Sequence, residues 1–410
     1  MELKVVNNNK SKGSVLFLCN RIPYPPHRGD KIRSYHMLRR LGDHFDVHVA
    51  GFLCDKNDEL DYKKMPSFCK SHHFVRQASK GSIKATAMNL FAKSSLTSNL
   101  FRHDDLEAWI EKTVAEQNVK CIIVNSLPMA QYAIQHAKNG VVCLADFERV
   151  ESDSWRQFEP TKGPLAKKAF QKELEEIEQS ERELAKHFKG IIFTSRLNAR
   201  IFTSSCPEAS DKVATFVNGV ETEYFSPERE LPKVFHKKEI PIVFCGAMDE
   251  YYNEEAVLWF ASEVLPLVKK KSPTATFHVV GSCPSKKLLK AAESLKFKVT
   301  GEVDDVRPYI KGAALTVAPV KKGKAVHYKV LESLAMGKPC VMTPHAMEGL
   351  ISADWLPDLV AGSPSMFADK CLGIINGLVP FQECFRPYIE KNYCWDKLFQ
   401  RYQHLMKQIL

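Results

Sequence analysis

The sequence predicts an α/β protein made of two doubly wound halves. Short apolar runs alternate with amphipathic, helix-like stretches along most of the chain. Such alternation predicts parallel sheets covered by helices on both faces, because each parallel strand needs a crossover connection to the next. The chain has 410 residues, which is more than one hydrophobic core usually supports, so we expect at least two domains.

Ten apolar runs are predicted to be strands, six in the first half and four in the second. They are residues 15–19, 47–52, 121–124, 141–145, 191–194, 213–217, 242–245, 277–280, 315–318 and 340–343. A polar, proline-containing stretch at 226–241 separates the halves. We therefore predict one Rossmann-like domain at 1–228 and a second at 229–394. Residues 395–410 have the pattern of an amphipathic helix.

The composition is that of an ordinary globular protein, with 44% apolar and 26% charged residues. No apolar run approaches the roughly 18 residues that would predict a membrane-spanning helix. The apolar run near the N-terminus is too short for the core of a signal peptide. Twelve cysteines are scattered without a Cys-x-x-Cys pair, which favours buried thiols in a reducing compartment. These features predict a cytoplasmic protein.

The segment at 317–344 has the features of an anion-binding site. An apolar run ends in a Lys/Gly-rich loop containing Lys324, and a helix-like stretch with Lys329 and Glu332 follows. A helix N-terminus after a basic loop attracts phosphate, because its free amides and its dipole both favour an anion. Glu332, one turn further along, is suited to bond neutral hydroxyl groups. Together these features describe a nucleotide-sugar site, although an ordinary strand, loop and helix would show the same pattern.

Several motifs of other enzyme classes are absent from the sequence. No Gly-x-Gly-x-x-Gly follows a strand, which counts against a nicotinamide-dependent dehydrogenase. Gly-x-Ser-x-Gly and His-Glu-x-x-His are also absent, which counts against α/β hydrolases and zinc proteases. Because there is no Asp-x-Asp pair, we expect no metal, and we expect no cofactor. No nucleic-acid-binding motif supports a nucleic acid as a partner.

Residues 331–339, LESLAMGKP, resemble the nucleotide-binding motif of family 4 retaining glycosyltransferases. That motif usually has two glutamates eight residues apart. Glu332 matches the second glutamate, and Lys324 stands in the place of the first. The loop at 21–31, RIPYPPHRGDK, resembles the family's first loop, with Asp30 replacing one of its paired glycines. This loop and the stretches at 153–155, 218–227 and 301–309 resemble, more specifically, a bacterial subgroup associated with exopolysaccharide export.

The resemblance implies the GT-B architecture, in which two Rossmann-like domains face each other across a cleft. The first domain would bind the acceptor, the second would bind the nucleotide-sugar donor, and the terminal helix at 395–410 would cross back to the first. The implied reaction moves a sugar from a nucleotide sugar to a lipid-linked or polysaccharide acceptor, with retention and without a metal.

Site residues follow from the same resemblance. Lys329 and Glu332 are expected to act in catalysis and donor binding. Asp146, which follows the run at 141–145 and lies two residues before Glu148, is the acceptor-side candidate. The full set of donor-binding candidates is Gly29, Lys31, Arg33, Asn218, Gly219, Gly246, Lys324, Lys329 and Glu332. For Asn218 and Gly219, a plain turn is the alternative interpretation.

The positive charge that meets the leaving diphosphate is not in its usual place. Family members commonly have an Arg and a Lys just after the first strand of the second domain, whereas residues 246–253 contain neither. We expect Lys329 to supply this charge, with Lys324, Lys31 and Arg33 as the other candidates. The alternative for each lysine is an ordinary solvated surface charge.

The segment at 62–103 contains eight Lys or Arg residues and no acidic residue, with apolar residues interleaved. This pattern is typical of a peripheral contact with anionic lipid, which the net charge of +10 would also favour. A basic domain face whose apolar residues lie in the core is the alternative.

Two other functions remain open at this stage. A nucleotide-sugar epimerase can share the same two-domain fold. An inactive, sugar-binding relative would explain the missing glutamate at 324 and the missing Arg/Lys pair.

Overall fold

A computed structural model of the chain describes residues 13–65, 69–77, 96–157, 163–321, 326–378 and 382–409. The chain divides into two compact units. Unit 1 consists of Met1–Phe216 together with Tyr402–Leu410, and unit 2 consists of Val217–Arg401. Each unit has its own sheet and its own buried core.

Unit 1 contains a seven-stranded parallel sheet with the strand order β3-β2-β1-β4-β5-β6-β7. Its strands are β1 (Ser14–Cys19), β2 (Asp46–Leu53), β3 (Ser71–Arg76), β4 (Val119–Val124), β5 (Val142–Phe147), β6 (Gly190–Phe193) and β7 (Val213–Thr215). The helices described in this unit are α1 (Gly29–Gly42), α2 (Lys56–Tyr62), α3 (Leu96–Leu100), α4 (Asp104–Glu116), α5 (Ile134–Lys138), α6 (Glu151–Arg156), α7 (Pro164–His187) and α8 (Arg196–Ser205).

Unit 2 contains a five-stranded parallel sheet with the strand order β10-β9-β8-β11-β12. Its strands are β8 (Ile240–Cys245), β9 (Ala275–Val280), β10 (Lys298–Val299), β11 (Leu315–Ala318) and β12 (Cys340–Met342). Its described helices are α9 (Tyr251–Trp259), α10 (Leu265–Lys271), α11 (Lys286–Leu295), α12 (Arg307–Gly312), α13 (Tyr328–Ala335), α14 (Pro344–Met347), α15 (Pro364–Ile375) and α16 (Phe385–Asn392). A π-helical turn, Phe260–Val264, joins α9 to α10.

The last helix, α17 (Trp395–Ile409), contributes residues to both units. At its start, in unit 2, Trp395 is fully buried and packs against Gly219. Further along, in unit 1, the ring of Tyr402 lies 4.9 Å from that of Phe216. No described helix is long and apolar enough to cross a bilayer.

The strand order reverses once in each sheet, and this reversal locates the crevices where ligands bind to such folds. In unit 1, β2 lies on one side of β1 and β4 lies on the other, so the strand order reverses between β1 and β4. In unit 2 the corresponding point lies between β8 and β11. In open parallel sheets, ligands bind outside the carboxyl ends of the strands at such a point.

The sequence predictions of fold class and strands agree with the structure. The α/β class with two parallel sheets is confirmed, and each of the ten predicted runs overlaps a strand. Two edge strands, β3 and β10, were not predicted, because β3 is rich in histidine and β10 has only two residues.

Two glycines bring the loops after β8 and β9 into main-chain contact. Gly281 has a φ of 152°, and a Cβ atom placed on it would lie 1.9 Å from the carbonyl oxygen of Gly246. The Gly246 amide, in turn, donates to the carbonyl of Val280 at 3.0 Å. Only glycine permits this approach, which fixes the backbone at the carboxyl end of β8.

We expect Gly281→Ala to destabilise the protein by about 2–5 kcal/mol, because the added methyl group meets backbone rather than a movable side chain. Gly373→Ala is the matched control. It lies in α15 with no atom within 4 Å of the added Cβ, so it should stabilise by about 0.5–1 kcal/mol. Thermal unfolding of both variants checks the prediction, and an unchanged midpoint for Gly281→Ala would contradict it.

Candidate functional site

Helix α13 carries the two side chains that the sequence predicted as the centre of the donor site. Its apolar face, with Val330, Leu331 and Leu334, is buried in the core of unit 2, which leaves Lys329 and Glu332 on the partly exposed face. The helix ends in a Schellman motif. Gly337 has a φ of 67°, and the amides of Gly337 and Lys338 donate to carbonyls of the last turn.

Arg386 holds the C-terminal end of α13 in place. Its guanidinium donates to the carbonyl oxygen of Ala335 at 2.9 Å, and also to those of Phe225 and Thr222 at 3.0 and 3.1 Å. A cation at this end of a helix is favourable, because the free carbonyls and the helix dipole both attract it. One side chain thus ties α13 to the segment that follows Val220.

Lys329 is connected to the loop after β8. Its Nζ donates to Oδ1 of Asn253 at 3.0 Å, and Nδ2 of Asn253 donates to the carbonyl of Ala247 at 2.9 Å. The ammonium group also lies 5.0 Å from the ring centroid of Phe244. Burial lowers the pKa of Lys329, whereas the nearby Glu332 opposes that shift. The structure therefore places one positive charge at the reversal of strand order in unit 2.

Glu332 lies one turn further along the same helix. Burial raises the pKa of Glu332 to about 7, and attraction to Lys329 opposes the rise. Among the described residues, none donates a hydrogen bond to its carboxylate. A partly buried carboxylate and amine with perturbed pKa values, at the edge where ligands bind to such sheets, are typical of a functional site.

The remaining unit 2 candidates differ in their surroundings. Gly246 lies at the end of β8, and a Cβ on it would approach Nδ2 of Asn253 to 2.9 Å, so it belongs to the same cluster as Lys329. Lys324 lies outside the described residues.

Asn218 is buried, and a Cβ on Gly219 would lie 2.7 Å from the ring of Trp395. The φ angle of Gly219 is not positive, so the backbone conformation does not require a glycine here. The close packing against Trp395 does, because a larger side chain would not fit.

An arginine and a tyrosine beside this cluster were not predicted. The guanidinium of Arg307 lies 3.6 Å from the ring centroid of Tyr224 and donates to both carboxylate oxygens of Asp305. Burial raises the pKa of Tyr224, and Asp305 and Glu332 add to the rise, so Glu332 lies within electrostatic reach of the phenol. Both residues fall in stretches, 218–227 and 301–309, that the sequence marked only as family-like.

In unit 1, Lys31 is part of a buried charge cluster. Its Nζ lies 2.8 Å from Oδ1 of Asp58 and donates to the carbonyl of Tyr24 at 3.1 Å. Asp58, which is fully buried, also accepts from Arg21. Gly29 begins α1 nearby, and the loop between β1 and α1 is held by these contacts.

Arg33 and Asp146 form a second buried ion pair in unit 1. Nε of Arg33 donates to both carboxylate oxygens of Asp146 at 3.1 Å, and the guanidinium lies 5.1 Å from the ring centroid of Phe216. Both residues are at least 95% buried. The structure thus brings Arg33 and Asp146 together, and it gives Lys31 and Arg33 carboxylate partners that the sequence did not predict. Their assignment to the donor stays a prediction.

Glu148 is a further carboxylate of unit 1, and its burial was not predicted. It lies two residues after Asp146, and burial raises its pKa to about 7, with Arg33 and Arg149 opposing the rise. Its main-chain carbonyl is fixed by the hydroxyl of Thr194 and the amide of Asn198. The sequence predicted that Glu148 follows a buried strand, but it did not predict that the side chain of Glu148 is itself buried.

No group of three or more His, Cys, Asp or Glu residues is arranged to hold a metal ion in the ranges that the structure describes.

The raised pKa of Glu332 predicts a pH dependence of stability. Because its folded-state pKa is above the usual value, its contribution to stability is fully present below pH 4.5 and is lost as the pH rises through about 7. Wild type should therefore lose stability relative to Glu332→Gln over this range, by on the order of 1 kcal/mol. Calorimetric midpoints of both proteins at several pH values measure this. Groups that do not interact with Glu332 contribute equally to both proteins, so parallel curves would contradict the prediction.

Known proteins share the fold of this chain. Residues 239–376 match the sequence pattern of the family described as "Glycosyl transferases group 1", whereas no curated protein matches the sequence. HepE of Anabaena, solved in complex with UDP and glucose, has a TM-score of 0.67 at 11% identity, over 97% of this chain and 100% of its own. The sucrose-phosphate synthase of Thermosynechococcus elongatus gives 0.69 at 11% identity, over 97% and 99%.

TarM gives a TM-score of 0.63 at 12% identity, over 96% of this chain and 99% of its own. These similar structures confirm the predicted GT-B fold. With the matched domain at 239–376, they support a transferase enzyme.

Proposed function

We propose that this protein is a glycosyltransferase that takes its sugar from a nucleotide-sugar donor bound to unit 2. The observation that carries the proposal is the placement of Lys329 and Glu332 on one face of α13, at the reversal of strand order between β8 and β11. The UDP and glucose in the Anabaena HepE structure make UDP-glucose a reasonable first donor to test.

The site has to stabilise the negative charge that develops on the leaving diphosphate. As the glycosidic bond to the nucleotide breaks, negative charge grows on the phosphate oxygens, and groups already in position stabilise it best. Lys329 is held in position by Asn253. Burial has already removed part of the hydration of the Lys329 ammonium group. The free energy needed to desolvate this group when a phosphate binds is therefore smaller.

Glu332 is proposed to bind hydroxyl groups of the donor. With a pKa near 7, the carboxyl group is suited to neutral hydroxyl partners, since it does not carry a full charge at neutral pH. A permanently ionised carboxylate at this position would repel the diphosphate that Lys329 attracts.

The finer features of the reaction are proposals from the resemblance to family 4 enzymes. Transfer would proceed with retention and without a metal or other cofactor, and the leaving phosphate would receive the acceptor proton. Asp146 is proposed to act on the acceptor side, with its carboxylate held in position by the hydrogen bonds that both of its oxygens accept from Arg33.

The acceptor is proposed to be lipid-linked or a growing polysaccharide, as in the exopolysaccharide-associated subgroup. The protein would then work in the cytoplasm at the inner face of the membrane. A contact with anionic lipid through the segment at 62–103 is part of this proposal. Much of that segment, with Lys80, Lys84 and Lys93, lies outside the described residues.

Two alternatives remain, an epimerase and an inactive relative. An epimerase of the same fold would convert the donor without an acceptor, and an inactive relative would bind the donor only. Lys324 in place of the family's first glutamate favours the inactive relative. Incubation with labelled UDP-glucose and other nucleotide sugars, with and without a lipid extract, separates the three. Acceptor-dependent release of nucleoside diphosphate supports the transferase, and its absence with every donor would contradict it.

Donor affinity should depend on Glu332. If its carboxyl group bonds donor hydroxyls, Glu332→Ala should weaken donor binding by about 1.5–3 kcal/mol while the unit stays folded. Titration calorimetry with the donor identified above measures the change, and Glu263→Ala, at an exposed position in unit 2, is the control. Equal affinity of the two variants would remove Glu332 from the site.

Turnover should depend on Lys329 and not on a divalent metal. Removing one preorganised charge typically lowers turnover by about 10²–10³. Lys329→Ala should show such a loss with little change in midpoint. Lys290→Ala, at an exposed position of α11, should remain active. Excess chelator should leave the wild-type rate unchanged. Activity lost on chelation and restored by magnesium or manganese would overturn the metal-free mechanism.

A further inference from the structure

Unit 2 carries a concentration of lysines at the N-terminal edge of its sheet. The lysines lie just before β8, at the end of α10 before β9, and at the start of β10. They are Lys237, Lys238, Lys269, Lys270, Lys271, Lys296 and Lys298, and we call them the basic edge. Because the strands are parallel, this edge lies opposite the carboxyl ends where Lys329 and Glu332 are found.

Contacts between the three loops show that the basic edge is one surface. Nζ of Lys269 donates to the carbonyl of Lys296 at 3.2 Å, which joins the end of α10 to the turn before β10. Nζ of Lys298 lies 2.9 Å from Oε1 of Glu239, which joins β10 to the start of β8. The lysines of three chain segments therefore share one face of unit 2.

The carboxylates on this face do not neutralise it. Glu239 is bonded by Lys298, Thr276 and His278. Asp369 lies 3.6 Å from Nζ of Lys271, and Glu293 is exposed on the last turn of α11. These are fewer than the lysines, so an excess of positive charge remains on the surface.

Exposed apolar side chains accompany the lysines. Leu267 is 40% exposed and lies three and four residues before Lys270 and Lys271, on the same face of α10. Val234, in the loop before β8, is 37% exposed. A soluble polyanion would be bound by the lysines alone. A lipid surface uses both features, because anionic headgroups attract lysines and the boundary below them accepts short apolar side chains.

We propose that the basic edge docks on an anionic lipid bilayer, with Leu267 and Val234 at the level of the headgroups. This contact lies in unit 2 and is independent of the segment at 62–103. It holds whether or not the protein transfers a sugar.

Co-sedimentation of the full chain with vesicles tests the proposal. Wild type should bind vesicles of phosphatidylcholine mixed with phosphatidylglycerol, and should bind vesicles of phosphatidylcholine alone much more weakly. Each lysine near an anionic surface contributes about fivefold to partitioning at low salt, so Lys238, Lys270 and Lys271 together contribute on the order of 100-fold. Changing these three to Gln should remove that factor. The same change at the exposed Lys167, Lys168 and Lys186 of α7 is the charge-matched control.

Two further variants separate the competing explanations. Leu267→Asn should weaken vesicle binding in high salt without changing binding to heparin, a soluble polyanion. If it changes neither, the surface is a site for polyanions and the lipid proposal is wrong. Changing Lys80, Lys84 and Lys93 to Gln tests the segment at 62–103 in the same assay. If that variant alone loses binding, or if wild type binds neither kind of vesicle, the basic edge is not the docking surface.

Discussion

The hydrogen bond from Lys329 to Asn253 is the interaction on which the geometry of the candidate site in unit 2 depends. A lysine side chain has a flexible four-carbon stem. Without a hydrogen-bond partner, its ammonium group at a partly exposed position would be solvated by water and would not stay in one place. Asn253 prevents this by accepting from Lys329 while donating to the carbonyl of Ala247. The cation is thereby fixed relative to the backbone of β8, whose end is itself set by the contact of Gly246 with Gly281. The charge is in place before a ligand arrives, which is the condition for effective electrostatic stabilisation.

Unit 1 uses its cations in another way. Lys31 and Arg33 are almost fully buried, and each lies against a buried carboxylate. An unpaired charge at such positions would be costly, so the ion pairs are required once the side chains are inside. Arg33 joins α1 to the end of β5, and Lys31 joins α1 to α2. The charges hold the loops at the carboxyl edge of this sheet, next to Glu148.

Most of the fold could be predicted from the sequence, because its strands are short apolar runs that differ sharply from their surroundings. β3 escaped prediction since Ser71, His72 and His73 are not typical strand residues, and its pairing with β2 overrides their preference. For the site, the helix with Lys329 and Glu332 was predicted from a local pattern. Asn253 contacts Lys329, Asp58 contacts Lys31 and Arg307 contacts Tyr224, and each of these partners is distant in the sequence. These contacts could not be read from local patterns. The same limit explains why Arg33 was predicted without its carboxylate partner, Asp146, which is 113 residues away.

The contacts of Arg386 have a consequence for how this chain can diverge. All three of its main-chain partners, at Thr222, Phe225 and Ala335, are carbonyl oxygens, which every amino acid possesses. The side chains at those positions can therefore change without loss of the contact, whereas the planar, multiply donating guanidinium has no equivalent among the other side chains. An architecture held in this way tolerates drift at many positions and depends on a few. That is one physical route by which chains that share only about a tenth of their residues can keep the same fold.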